Sequence, residues 1–323
     1  MTTEQEEHEQ ETRGQQQRWR VIALAVYAAA LVVWIITVGV PTDTFQLFAW
    51  LWLATIAWNI TASWRTHLSF LRDWAPAFVL LVLYLYSRGL SDELIPVSVH
   101  WTEPIHFDEW LGGGQLPTSW LQQHLCGTPC VRSSEPRWYD LLFTTVYFTH
   151  FVAGLALAVV LWLRSRPAWV PWMRRYLVMN FAALVIYILY PMAPPWLASQ
   201  SGYISETLPR LTGRGWSDIG LGGFHVVLAK VGNPVAAMPS LHGGLAMLIA
   251  MYGIVKLSSH WRWLLLVYPL LMAVALVYYA EHYVVDLFAG WLLAGLVMLG
   301  CHWWEHRRSR RDVSDRAPVA EIA

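Results

Sequence analysis

Two short polar motifs interrupt an apolar stretch between Val235 and Gly290: Met238-Pro239-Ser240-Leu241-His242, and Glu281-His282-Tyr283-Val284-Val285-Asp286. The two apolar segments between them are each long enough to cross a bilayer, so the chain goes over and returns, and both motifs open on one membrane face. His282 and Asp286 are four residues apart, which on a helix stacks them one turn apart and lets the carboxylate hold the imidazole. With one ring N–H given to Asp286, the other nitrogen is left as a nucleophile. Pro239 suits the first turn of a helix, and His242 then lies one turn in, near amides that can face an anion. A second histidine there can protonate a departing oxygen. An aspartate near the start of an apolar span is costly unless paired, which favours chemistry over a buried pair that only locks two helices.

These motifs resemble the signatures of the type-2 phosphatidic acid phosphatase superfamily, PSxH followed two spans later by HxxxD. Tyr190-Pro191-Met192-Ala193-Pro194-Pro195-Trp196, Ala237-Met238-Pro239-Ser240-Leu241-His242 and His282-Tyr283-Val284-Val285-Asp286 are similar to one branch of it, the inositol phosphorylceramide synthase (inositolphosphotransferase-like) group. The resemblance runs from Asp73 to Trp304 and leaves out the first two spans and the tails. It implies catalysis by His242, His282 and Asp286, with Pro239 and Ser240 beside the phosphate. Two family features are absent: no KxxxxxxRP motif occurs, and the SR pair ahead of HxxxD reads Ala275-Leu276.

Composition sets the elements that must position these residues. The chain is 56% hydrophobic, only 14% charged and contains 21 tryptophans, which describes an integral membrane protein. Apolar runs at 21–40, 45–62, 74–86, 139–163, 176–190, 236–257, 263–280 and 284–304 predict an all-α polytopic bundle of about eight spans, in which a six-helix core follows two N-terminal spans. The expected division is a disordered tail over 1–20, two extra spans over 21–64, the phosphatase or phosphotransferase core over 73–304 and a basic tail over 305–323. The first run lacks a small-residue cleavage pattern and reads as an anchor. Placing both termini in the cytoplasm of a cell-membrane protein puts sixteen of the 22 Lys and Arg inside and His242 and His282 outside. The basic C-terminal tail then lies near anionic lipid, and no nucleic-acid partner is expected.

The long loops 87–138 and 191–234 fall on the outer side, with Trp101, Trp110 and Trp120 as headgroup-level anchors of amphipathic pieces. Phosphate needs donors aimed at its oxygens, and Arg210, Arg214 and Lys230, with Arg88 and Arg137 at span ends, are the candidates; each is equally an ordinary headgroup contact. Trp196, after Pro194 and Pro195, can seat at the interface beside the substrate. Cys126 and Cys130 either close a small disulfide ring or remain free thiols. His100, His106, Asp108 and His124 match no standard zinc spacing with them, and nothing like a carboxylate cage accompanies the motifs, so neither metal nor cofactor is expected.

The expected activity is metal-independent transfer or hydrolysis of lipid phosphoesters at the extracytoplasmic face through a phosphohistidine. The resemblance implies a phosphoinositol-like headgroup as the group transferred, with water or a hydroxyl as acceptor. The alternatives are a polyprenyl (pyro)phosphate or phosphatidic acid phosphatase, and a non-enzymatic lipid transporter or scaffold with the same fold.

Overall fold

A computed structural model describes residues 3–41, 44–90, 97–220 and 233–314. Among them are eleven α-helices: α1 (Thr3–Thr37), α2 (Thr44–Trp58), α3 (Trp64–Gly89), α4 (Glu103–Leu111), α5 (Pro117–Leu125), α6 (Trp138–Arg164), α7 (Arg166–Leu189), α8 (Pro195–Gln200), α9 (Leu241–Lys256), α10 (Val267–Tyr278) and α11 (Val284–Ser314). Six helical segments are long and apolar enough to cross a membrane, and α2 and α9 are shorter apolar helices. The chain is therefore a multi-pass helical membrane protein.

The runs at 74–86 and 176–190, short for a bilayer, are extended by polar flanks into helices of 26 and 24 residues. Paired charges make those flanks tolerable. Asp73 accepts from Arg166 Nε and Trp162 Nε1, each at 3.1 Å, which ties α3 to the turn between α6 and α7. Arg175 meets both oxygens of Glu305 at 2.8 Å and Arg174 meets one of them, so α7 is fastened to α11. The tail expected to be disordered is instead helical from Thr3. Its Glu, Gln and Arg residues are good helix formers, and they extend a helix already nucleated by the apolar run.

Helices α3, α6, α7, α9, α10 and α11 pack as the core, with α1 and α2 joined to it through α2 against α3 and α6. Phe70, Trp74, Trp162 and Trp172 fill one end, and Tyr147, Met272, Tyr278 and Tyr279 the other. Two connections are stapled. Cys126 and Cys130 form a disulfide, and isolated parallel bridges align His100 with Met192 and Met192 with Ala236, drawing the approaches to α4, α8 and α9 side by side.

Helices α9 and α11 approach each other backbone to backbone. A Cβ on Gly290 would lie 2.4 Å from the Ser240 carbonyl oxygen, and one on Gly244 would lie 3.0 Å from that of Gly290. At Gly290 every near atom is backbone, so no side chain can yield, whereas at Gly244 the nearest atom is Met179 Cε at 2.3 Å. Gly290→Ala is expected to lower the thermal midpoint in detergent, at a cost of about 1–3 kcal/mol from overpacking. Gly295→Ala, where the nearest atom to an added Cβ is Met251 Cε at 3.9 Å, should leave it unchanged or higher.

Candidate active site

Helix α9 begins at Leu241, and Ser240 is its N-cap, its Oγ accepting from the Gly243 amide at 3.2 Å. Pro239 therefore precedes the cap rather than sitting in the first turn, and its carbonyl accepts from the Tyr187 hydroxyl at 2.9 Å. His242 is the second helical residue. The Ser240 amide donates to the Asp286 carbonyl at 2.9 Å, which joins the start of α9 to the first turn of α11.

The second motif is delivered by a tight turn. The Ala280 amide donates to the Val277 carbonyl and the Glu281 amide to that of Leu276, both at 3.1 Å, closing α10 with a Schellman motif. Ala280 occupies its left-handed position at φ 60°, where glycine is usual. Its carbonyl accepts from the Trp196 amide at 3.1 Å, so the Pro194-Pro195-Trp196 segment braces the turn. His282 follows in the irregular link ahead of α11 and not within it. The pairing with Asp286 is thus made across a helix start: Asp286 Oδ2 lies 3.2 Å from His282 Nδ1 and accepts the Tyr283 amide at 3.0 Å. Asp286 is fully buried and His282 nearly so.

His242 and His282 line one cavity of about 480 Å³, with ring centroids 5.9 Å apart. That volume suits a headgroup-sized ligand. On its other side His242 stacks on Tyr147 at 4.8 Å and meets the His150 ring at 3.9 Å. Charges of both signs share the cavity wall. Arg210 forms a two-point ion pair with Glu281, Nε to Oε1 at 2.6 Å and Nη2 to Oε2 at 3.1 Å, and lies over the Trp196 ring at 4.8 Å. Arg132 holds the Arg210 and Thr212 carbonyls at 2.7 and 2.8 Å. Burial works against the Arg210 charge, but Glu281 outweighs it and holds that pKa above the ordinary value. Burial and the Arg210 charge pull the pKa of Arg132 below its own. Arg88, from the end of α3, lines the same space.

The structure thus gathers His242, His282, Asp286, Arg210 and Trp196. Ser240 and Pro239 support the floor through backbone and cap and do not line the cavity. Arg214 is directed elsewhere: its guanidinium lies 3.6 Å from the Asp140 carboxylate, both fully buried, and donates to Ser134 Oγ and the Glu135 carbonyl at 2.9 Å. Lys230 lies outside the described residues. Sequence reasoning missed Arg132, Glu281, Tyr147 and His150. A histidine inside the apolar run of α6 was a usable signal for the last, because ionisable groups in spans tend to face interior cavities.

The family model of the PAP2 superfamily matches residues 124–300, more than half of the chain, and includes both histidines and Asp286. The chain belongs to the PAP2 superfamily. Among curated proteins, this PAP2 chain is 29% identical over 157 residues to the inositol phosphorylceramide synthase catalytic subunit aur1 of Schizosaccharomyces pombe, covering 45% of the chain and 36% of that relative. It is 25% identical over 174 residues to the phosphoinositol dihydroceramide synthase of Bacteroides thetaiotaomicron, covering 50% of the chain and 56% of that relative. The match thus spans about a third of the first relative and little more than half of the second. No solved structure matches the chain. Ala275 and Leu276, at the positions of the family's SR pair, are fully buried core residues of α10.

Arg210 and Arg214 can be separated by experiment. Arg214→Met leaves Asp140 as a buried unpaired charge and should cost about 3–5 kcal/mol of stability. Arg210→Met should leave the thermal midpoint within a few degrees while depressing turnover, and equal melting losses for the two variants would contradict this division.

Proposed function

We propose that the protein is a membrane phosphotransferase acting on lipid phosphoesters, with His282 as nucleophile, Asp286 as the group that orients it, and His242 as acid and base. One observation carries the reading: two imidazoles face a single cavity, and a buried carboxylate stands 3.2 Å behind one of them. With Nδ1–H donated to Asp286, His282 Nε2 directs its lone pair at phosphorus. The N–P bond forms as the ester P–O bond breaks, and the departing oxygen keeps the electron pair and takes a proton from His242. In the second half the acceptor hydroxyl returns a proton to His242 while its oxygen attacks the phosphohistidine, and the N–P electron pair goes back to Nε2. Arg88, Arg132 and Arg210 surround the space where charge collects on the transferred phosphoryl oxygens, so these steps proceed without a metal.

PAP2 membership and the names of both relatives support lipid phosphoester chemistry, and those names, an inositol phosphorylceramide synthase subunit and a phosphoinositol dihydroceramide synthase, favour a phosphoinositol-like headgroup passing to the hydroxyl of a second lipid. The orientation that fits is a cavity opening on the outer face of the cell membrane with both termini in the cytoplasm. The distribution of Lys and Arg supports it. So does a disulfide in the loop beside the cavity, which belongs in an oxidising compartment.

Headgroup exchange and phosphate release, measured on purified protein with a panel of phospholipids and hydroxyl acceptors, test the proposal. Transfer should exceed hydrolysis when acceptor lipid is present. His282→Ala should abolish turnover and the acid-labile phosphoenzyme together, and His242→Ala should slow turnover by about 10²–10⁴-fold. Unaltered turnover by His282→Ala would remove the proposal.

A further inference from the structure

The turn that carries Glu281 and His282 is held at both ends by the outer-loop helices. From α5, the buried Gln122 side chain donates to the Tyr278 carbonyl at 2.9 Å, at the C-terminal end of α10. From α4, Asp108 accepts the Val284 amide on Oδ2 at 2.8 Å and the Val285 amide on Oδ1 at 3.2 Å, at the N-terminal end of α11. The first amides of a helix have no partner within it. Here Asp108 satisfies two from 176 residues away, and Asp286 satisfies the one before them.

We infer that Asp108 is a positioning residue for the His282–Asp286 pair, fixing the first turn of α11 so that the Asp286 carboxylate stays behind the imidazole. The inference rests on the proposed role of His282. Asp108 is completely buried, and Pro104 and Ile105 on the same face of α4 are buried with it, while Trp110 on the opposite face is 75% exposed. An apolar residue would dock this helix at far lower cost than a buried carboxylate does. That cost is visible in the carboxyl's pKa, raised to about 6 by burial against the pull of the two amides, with the nearby Asp286 charge adding to the rise. The charge has a use at this place. A helix N-terminus stabilises negative charge, so alone it would draw Asp286 away from sharing a proton with His282. Asp108 takes up that positive end and leaves Asp286 the stronger acceptor.

The titratable groups facing Asp108 from α11 and its approach are Asp286 and Tyr283, with His282 beyond them. Asp108→Asn keeps the shape and one acceptor oxygen but removes the charge, and Asp108→Ala removes both. Turnover should fall in the order wild type, Asn, Ala, reaching a loss of about ten- to a hundredfold in kcat, with KM changed by less than about threefold because Asp108 does not line the cavity. With less negative charge behind it the imidazole loses its proton more easily, so the acid limb of the kcat/KM profile should move to lower pH in both variants. Amide exchange at Val284 and Val285 should quicken in Asp108→Ala. The isosteric Asn variant carries the kinetic test if the Ala variant does not fold. Wild-type kcat and pH profile in Asp108→Asn, alongside an inactive His282→Ala, would overturn this inference while sparing the nucleophile. An active His282→Ala would instead remove the reading beneath it.

Discussion

The site depends on two helix beginnings being held backbone to backbone. At the crossing of α9 and α11 the Ser240 amide bonds to the Asp286 carbonyl, and Gly290 lies against the Ser240 carbonyl with no room for a methyl group. His242 stands two residues into one helix and His282 two residues ahead of the other. Their separation is therefore set by main-chain contacts and not by flexible side chains, which is the kind of fixed geometry that phosphoryl transfer rewards.

Around that fixed pair, charge is arranged by pairing. Asp286 is buried against His282 and an amide, Arg214 is buried against Asp140, and the more exposed Arg210 pairs with Glu281. The last pair serves the loop and not the cavity: it anchors 126–137, the segment that carries the disulfide and Arg132. Arg132 in turn holds the carbonyls on either side of Leu211 and so places Arg210 beside the histidines. The chain around the cavity thus has a hierarchy, in which buried polar contacts shape the stretch that presents cations to the cavity.

Much of this was legible in the sequence. The spacing of His242, His282 and Asp286 pointed to three residues that lie together in the structure, and span-length apolar runs carried the bundle. The pairing came out differently in detail, because Asp286 reaches back over a helix start where a helical i,i+4 contact was expected. What the text hid was supplied from far along the chain. Arg132 follows the disulfide and His150 sits inside a span; only the folded bundle brings them to one cavity with Arg88, which was among the expected candidates. Arg210 and Arg214 are four residues apart and chemically identical, yet one meets the cavity and the other a buried aspartate, a difference that no local pattern encodes. Asp108 was visible only as an unmatched zinc ligand, since its partners are backbone amides with no side-chain signature.

The central claim is that His282 attacks phosphorus while His242 faces the leaving oxygen across one cavity. Orthovanadate, which adopts the five-coordinate geometry of the transferring phosphoryl group, tests this directly in an experimentally determined structure of the complex. The expected result is vanadium bonded to His282 Nε2, with His242 within hydrogen-bond reach of the oxygen opposite and arginine guanidinium groups on the equatorial oxygens. Vanadate bonded to neither imidazole, or histidine rings turned into separate cavities, would contradict it.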